Sequence, residues 1–289
     1  MLQIVVMTLL PSALLCGAIM LLACRPWSRS DVQVRGQWGA PLGLGAATIS
    51  AYLMAFVALK EPLPQWVPQE RWQWITIMTL AATCFGLIGA GWRPVSWERI
   101  FLCGVAAFCI AWLIQPTPRV NHPGVFKAMV GVMAFGLAMN LELISLRRRG
   151  ATVPLAMAMV FGGAAMVFVQ SGFARIGLLA AAPATAALVI ALLARWNPSV
   201  SLCDGGGIWL GAMLAALIGI GGDSGYNTGE VPIASFVLVA VAPLMLWVGE
   251  LRRVQSMQPA NAAIVRIALV CVPVVIPIAL TWPLTMPPI

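Results

Sequence analysis

Ten apolar segments, separated by short polar connections, follow one another along the 289-residue chain. A helix needs about 20 apolar residues to cross the hydrocarbon of a bilayer, and about 17 to 25 residues are usual. The pattern predicts ten transmembrane helices, at residues 2–23, 42–59, 74–91, 100–114, 125–146, 152–170, 173–194, 207–222, 231–248 and 263–282. The fourth and the eighth of these segments are the shortest.

Basic residues mark every second connection, beginning with the first. Eleven of the seventeen Lys and Arg residues lie in the odd-numbered connections, five lie in the even-numbered ones, and Arg266 lies inside the last segment. Positive residues are retained on the cytoplasmic side of spanning helices. The alternation therefore predicts that both termini lie outside the cytoplasm, in a multi-pass protein of the plasma (inner) membrane. The tryptophans fall near the predicted boundaries, with Trp209 and Trp247 at the inner one.

These patterns predict an all-α fold, a polytopic integral membrane helix bundle with a single transmembrane domain over residues 1–289 and no soluble domain. The Arg147–Arg149 run divides the chain into two stretches of five segments, 1–147 and 151–289. An odd number of spans per half would invert a duplicated unit, as in many secondary transporters. Two five-helix halves therefore stay open as a finer description of the bundle.

In length and number of segments, the chain resembles the drug and metabolite transporter superfamily. Members of that family typically have ten spans in two inverted halves. The resemblance therefore implies a carrier function. They usually keep both termini in the cytoplasm, whereas the charges of this chain predict both termini outside. No functional residue is transferred from the resemblance.

The composition agrees with a lipid environment. Hydrophobic residues make up 61% of the chain and charged residues 9%, whereas the surfaces of soluble proteins are about a quarter or more charged. The net charge of +8 would suggest a nucleic-acid partner in a soluble protein. Here the arginines lie beside apolar segments, so the excess reflects topology, and we expect no nucleic-acid partner.

Proline and glycine positions predict irregular or closely packed helices. Proline removes a backbone donor and so is predicted to interrupt the seventh span at Pro183, the ninth at Pro243, and the tenth at Pro273 and Pro277. The freed carbonyls would line a substrate site or mark kinks that improve packing. Small residues that permit close helix approach are Gly86, Gly89, Gly131, Gly136, Gly162, Gly163 and Gly211.

The polar residues inside the segments form a first candidate site. Glu142 lies about one turn from the inner end of the fifth segment, Asn140 is close to it, and Arg266 lies at a similar depth in the tenth. Such a charge costs roughly 2.5 to 3.5 kcal/mol in the membrane, so it needs a partner or a water-filled cavity. We expect Glu142 to face protein. A pair of Glu142 with Arg266 would be a structural lock or a proton-coupled gate. In the alternative, both side chains reach the inner surface of the membrane, and the cluster of Arg147, Arg148 and Arg149 balances the charge of Glu142.

A second candidate is the polar stretch that follows the eighth segment on the outer face. Its oxygen-bearing side chains could form an entrance for a cation or a polar solute, or an ordinary exposed loop. The candidate residues are Asp223, Ser224, Tyr226, Asn227 and Glu230. On the inner side, Asp204 followed by three glycines is typical of a helix cap and turn.

An intramembrane hydrolase is a further alternative. The run Gly222-Asp223-Ser224-Gly225 resembles the nucleophile motif of serine proteases and, more loosely, that of rhomboid proteases. The only histidine, His122, is predicted on the same face. Catalysis would require this serine and histidine within hydrogen-bond reach, and four residues match easily by chance.

The sequence favours a small-solute secondary transporter or permease, with a non-catalytic membrane subunit or scaffold as the alternative and a hydrolase as the second. No residue is assigned a catalytic, cofactor-binding or metal-binding role, because one histidine and seven scattered cysteines give no cluster with metal or haem spacing. We therefore expect no cofactor and a non-enzymatic role. The expected partners are membrane lipids, an unknown small solute and other membrane proteins.

Overall fold

The structure is a computed structural model of the chain. It describes residues 2–24, 38–58, 68, 70–92, 94–118, 120–148, 150–197, 200, 202–223, 227–229 and 231–281. All regular secondary structure in these residues is helical.

Twelve α-helices follow one another in the described residues. They are α1 (Leu2–Cys24), α2 (Gly39–Ala58), α3 (Trp74–Trp92), α4 (Ser96–Leu113), α5 (Pro123–Arg147), α6 (Thr152–Gln170), α7 (Ala174–Trp196), α8 (Cys203–Gly222), α9 (Ile233–Val241), α10 (Met245–Val248), α11 (Arg252–Gln255) and α12 (Pro259–Thr281). Within the described ranges, nine helices are long and apolar enough to cross a membrane. These nine coincide with nine of the ten predicted segments, so the chain is a multi-pass membrane protein built as a helical bundle.

The ninth predicted segment tightens into a 3-10 turn near its middle. Helix α9 ends at Val241, a 3-10 turn covers Ala242–Leu244, and α10 continues to Val248. Pro243 lies in the turn and supplies no backbone donor to the preceding helix. The stretch Ile233–Val248 is therefore a shorter apolar element than the other nine.

The other three prolines do not interrupt their helices, contrary to the sequence prediction. Pro183 lies within the continuous helix α7, and Pro273 and Pro277 lie within α12. Helices in a membrane tolerate proline where neighbouring groups and small local adjustments satisfy the freed carbonyls.

Helix α8 occupies the centre of the bundle. In its apolar window, 94% of the residues are buried. Its Gly207 and Gly211 lie against the backbone of α5 so closely that a Cβ at either position would overlap it. This close approach of two helix backbones through glycines four residues apart is the packing that small residues allow in membranes.

Side-chain contacts identify the two ends of the bundle. The start of α4, the end of α5 and the start of α8 meet at one end, which we call the arginine-rich end. The end of α4 and the end of α8 meet at the other, which we call the opposite end, where Thr117 contacts Asp223.

Among the glycines predicted to permit close packing, Gly136 and Gly162 have open space beside them instead.

Candidate functional site

The start of α8 contains a break in the helix backbone. Asp204 is extended, with φ −64° and ψ 134°, and Gly205 has a positive φ of +88°. A side chain at position 205 would be strained in this conformation, and its Cβ would also overlap the carbonyl of Gly86 on α3. Only glycine fits this position, so the three-glycine run does more than form a simple turn.

Glu142 binds directly at this break. Its side chain is fully buried, and the N–H of Gly205 donates to Oε1 at 3.0 Å and to Oε2 at 3.2 Å. The unpaired N–H groups at the start of a helix attract an anion. A carboxylate from α5 therefore takes the place of an N-terminal cap on the regular part of α8.

Arg99 completes the cluster from the first turn of α4. This turn is fixed by Glu98, whose carboxylate accepts the N–H of Val95 at 3.0 Å. The guanidinium of Arg99 lies 4.0 Å from Glu142 Oε1 and 3.8 Å from Asp204 Oδ1. Both distances exceed the usual 2.7–3.2 Å of a hydrogen bond. One arginine thus lies between two carboxylates without a close contact to either.

The cluster formed by Arg99, Glu142 and Asp204 has properties suited to binding a cation or a proton. Its formal charges sum to one negative charge, and the Nε atom of Arg99 is buried without a hydrogen-bond partner in the structure. A water molecule or a small polar group can bridge groups separated by such gaps. The guanidinium of Arg99 therefore lies at nearly equal distances from two carboxylates and is not locked to either by a short contact.

Arg266 does not belong to this cluster. Its ion pair is with Glu250 at 3.3 Å, and its Nε donates to the carbonyl of Gly249 at 3.1 Å. The hypothesis of a Glu142–Arg266 pair is therefore wrong, because α12 packs against the α10–α11 turn and α6, while α5 packs against α4 and α8. Arg148 joins Glu250 through two hydrogen bonds of 2.8 Å each.

The trio of Arg148, Glu250 and Arg266 forms a clamp at the arginine-rich end. Burial raises the pKa of Glu250, but the hydrogen bonds from Arg148 and the charges of Arg148 and Arg266 outweigh it, so the pKa lies below its usual range. The hydrogen bond to Glu250 raises the pKa of Arg148. The clamp ties the end of α5 to α12 and to the α10–α11 turn.

Asn140 contacts the clamp side of α5 and not the Glu142 side. The indole N–H of Trp247 donates to Asn140 Oδ1, and the guanidinium of Arg147 lies 4.8 Å from the centre of the Trp247 ring. The alternative in which the Arg147 cluster balances Glu142 is therefore wrong for Arg147 and Arg148, and Arg149 lies outside the described residues. In the structure, Arg147 packs on an aromatic ring and Arg148 binds Glu250.

The outer candidate residues are only partly described. Asp223 is buried and accepts hydrogen bonds from the N–H and the hydroxyl of Thr117. Asn227 binds locally, since its amide accepts from the N–H of Val231 and donates to the Val231 carbonyl. Ser224, Tyr226 and Glu230 lie outside the described residues. Of the described residues of this stretch, Asp223 is buried, Asn227 is half-buried and Thr228 is exposed.

The contacts that the sequence did not reveal come from neighbouring helices. The sequence predicts Arg99 in the third connection, on the cytoplasmic side, Asp204 in a cap and turn, and Trp209 at the inner boundary. Trp209 is instead fully buried and donates its indole N–H to Thr83 on α3 at 3.0 Å. Asp204 could have been suspected, because an acid beside three glycines and the most glycine-rich span is unusual, but nothing in the sequence pairs it with Arg99.

Comparison with known proteins gives no match to any family model, to any curated protein or to any solved structure.

Proposed function

We propose that this membrane protein is a secondary transporter or permease for a small solute, with the Arg99, Glu142 and Asp204 cluster as its coupling site. One observation carries the proposal: a fully buried carboxylate is held by the broken start of the most buried helix. Transporters build their sites from discontinuous helices whose freed N–H groups face anionic groups. Intramembrane ionisable residues mark ion and proton pathways.

In this proposal, Glu142 and Asp204 compete for Arg99. A proton or small cation that neutralises one carboxylate would release the arginine to the other, because the net negative charge of the cluster is then cancelled. The glycine at position 205 supplies a pivot whose positive φ is available to no other residue without strain. The clamp of Arg148, Glu250 and Arg266 would keep the neighbouring helices in place during this exchange.

We also propose that the chain resides in the plasma (inner) membrane as one transmembrane domain, with the arginine-rich end in the cytoplasm. The described arginines 99, 147, 148, 252 and 253 support this orientation, since they lie near helix ends that meet there. Glu142 lies five residues before the end of α5, about 7.5 Å along the helix axis. The coupling site would then open toward the cytoplasm.

Transport can be tested with the full-length protein in liposomes that contain a pH-sensitive dye. A potassium gradient with valinomycin sets the membrane potential, and neutral amino acids, monocarboxylates and quaternary ammonium compounds are added in turn. We expect at least one class to produce a proton flux that depends on the protein, and Glu142→Gln to reduce this flux at least tenfold because the exchangeable charge is lost. Glu70→Gln, at an exposed position just before α3 and away from the cluster, is the matched control and should retain the flux.

The proposal fails if the wild-type protein carries no flux with any of these classes. It fails equally if the flux of Glu142→Gln equals that of the wild type.

A second candidate, a non-catalytic subunit or scaffold, is favoured by the packing of the centre. Helix α8 is almost entirely covered, whereas the apolar windows of α1, α4 and α12 are only 22%, 28% and 28% buried. Such apolar faces would suit a membrane-protein partner as well as lipid. This candidate predicts a larger assembly in mild detergent, and it predicts that Glu142→Gln changes the assembly and not a flux.

A further inference from the structure

A groove of about 510 Å³ runs between α4 and α5 on the outside of the bundle. Its floor consists of small residues, because Gly131 and Ala111 bring the two helices together: a Cβ at position 131 would lie 3.2 Å from that of Ala111. The exposed rings of Phe108 and Phe135 form part of its walls. The groove is separate from the Arg99, Glu142 and Asp204 cluster and plays no part in the proposed transport.

The length of the groove matches one leaflet of a bilayer. It extends along α4 from Gly104 to Trp112 and along α5 from Lys127 to Phe135, which is eight helical steps on each helix. At 1.5 Å per residue each side is about 12 Å long. Half of the roughly 30 Å hydrocarbon core is about 15 Å. An acyl chain that enters at the headgroup level would therefore lie along the groove for most of its leaflet.

The mouth of the groove carries a positive charge at the headgroup level of the opposite end. Lys127 donates to the carbonyl of Trp112 at 3.2 Å, and its ammonium group lies 5.7 Å from the centre of the Trp112 ring. Tryptophan prefers the interface between lipid and water, and lysine places its ammonium group there. Among the described residues, no carboxylate forms an ion pair with Lys127, so its charge is available to an anionic headgroup.

We propose that this groove binds an anionic glycerophospholipid, with one acyl chain between α4 and α5 and the headgroup phosphate on Lys127. The lipid belongs to the leaflet at the opposite end. The small residues of the floor admit the chain, and the lysine selects a headgroup with a net negative charge.

The test uses full-length protein in detergent and native mass spectrometry, with dioleoyl phosphatidylglycerol and dioleoyl phosphatidylcholine as the two probes. Their acyl chains are identical, so a difference in affinity reports the headgroup. One lysine near an anionic headgroup should tighten binding about fivefold. We expect Lys127→Gln to remove this preference and Lys127→Arg to retain it.

The acyl chain is tested by filling the groove. Gly104 lines the groove and has open space beside it, so Gly104→Leu should fold normally and weaken the binding of both lipids at this site. Gly162→Leu on α6, which also has open space beside it, is the matched control for added bulk. Arg195→Gln, an exposed position on α7, is the control for the loss of one positive charge.

Two results would overturn the proposal. In the first, Lys127→Gln changes the preference for phosphatidylglycerol no more than Arg195→Gln does. In the second, Gly104→Leu binds both lipids as the wild type and Gly162→Leu do. Circular dichroism of each variant confirms that a lost affinity is not a lost fold. Neither result depends on whether the protein transports a solute.

Discussion

Gly205 combines three roles in one residue. Its φ of +88° turns the chain at the start of α8, its N–H binds the carboxylate of Glu142, and its missing side chain lets the carbonyl of Gly86 approach. Alanine at this position would be strained by the left-handed conformation and would also overlap α3. The backbone of α8 and the charge cluster therefore depend on the same glycine.

We expect Gly205→Ala to lower the free energy of unfolding by about 2 kcal/mol or more, since the strain alone costs about 1–2 kcal/mol. Gly91→Ala is the matched control: Gly91 lies in the last turn of α3 with open space beside it, so the free energy should change little. Unfolding of the purified protein by sodium dodecyl sulfate in mixed micelles measures both. Equal stability of Gly205→Ala and the wild type would show that the break is not a required feature of the fold.

The candidate site shows how far single residues can be read from a sequence. Glu142 stands out because a carboxylate in an apolar segment needs a partner. Its partner does not stand out, because Arg99 is separated from it by 43 positions and lies in a connection that the apolar pattern predicts to be polar. Which helices become neighbours in three dimensions depends on packing, here on the glycines of α8. The apolar pattern of a single segment does not predict that packing.

At the scale of elements, the clamp joins helices that are far apart in the chain. Arg148 follows α5, Glu250 lies between α10 and α11, and Arg266 lies in α12. The carboxylate is held by three charged hydrogen bonds or ion contacts, which are stronger than neutral ones. The short elements α10 and α11 are therefore attached to the bundle by charge as well as by apolar packing.

The clamp should make stability depend on pH in the acidic range. The pKa of Glu250 is lowered in the folded protein, so its contribution is fully present above the ordinary value of 4.5 and is lost as the pH falls through the lowered value. We expect the difference in unfolding temperature between the wild type and Glu250→Gln to be constant near neutral pH and to shrink below about pH 4.5.

Two arginine variants check the origin of this effect. Arg148→Gln removes the two hydrogen bonds to Glu250 and should abolish most of the loss of stability that the wild type shows in acid. Arg253→Gln removes a charge from an exposed position nearby and should leave that loss of stability unchanged. An identical pH profile for the wild type, Arg148→Gln and Arg253→Gln would show that Arg148 does not hold the pKa of Glu250 down.

The elements themselves follow closely from the sequence. The apolar pattern predicts nine helices within a few residues of their ends, because about 20 apolar residues in lipid have few alternatives to a helix. The Asp204 and three-glycine run predicts a cap and turn, and residues 204 and 205 are indeed non-helical. The apolar pattern does not distinguish Pro243, which lies in a 3-10 turn, from Pro183, which lies in a continuous helix.

At the scale of the whole molecule, charge and packing give each end of the bundle a different character. The arginine-rich end holds both the charge cluster at the start of α8 and the clamp. At the opposite end, Asp223 is held by Thr117, Thr228 donates to the carbonyl of Ser171, and the groove between α4 and α5 opens beside Lys127. A solute that reaches the charge cluster would thus enter or leave on the arginine-rich side.

Orientation in the membrane is the claim on which the proposed direction of transport and the assignment of the lipid leaflet both depend. Green fluorescent protein fluoresces in the cytoplasm, and alkaline phosphatase is active outside it, so each can be fused to the C-terminus of the full-length chain. We expect an active phosphatase and a dark fluorescent protein there, and a bright fluorescent protein when it is inserted after Met257 at the arginine-rich end. Fluorescence from the C-terminal fusion together with a dark insertion after Met257 would contradict this orientation.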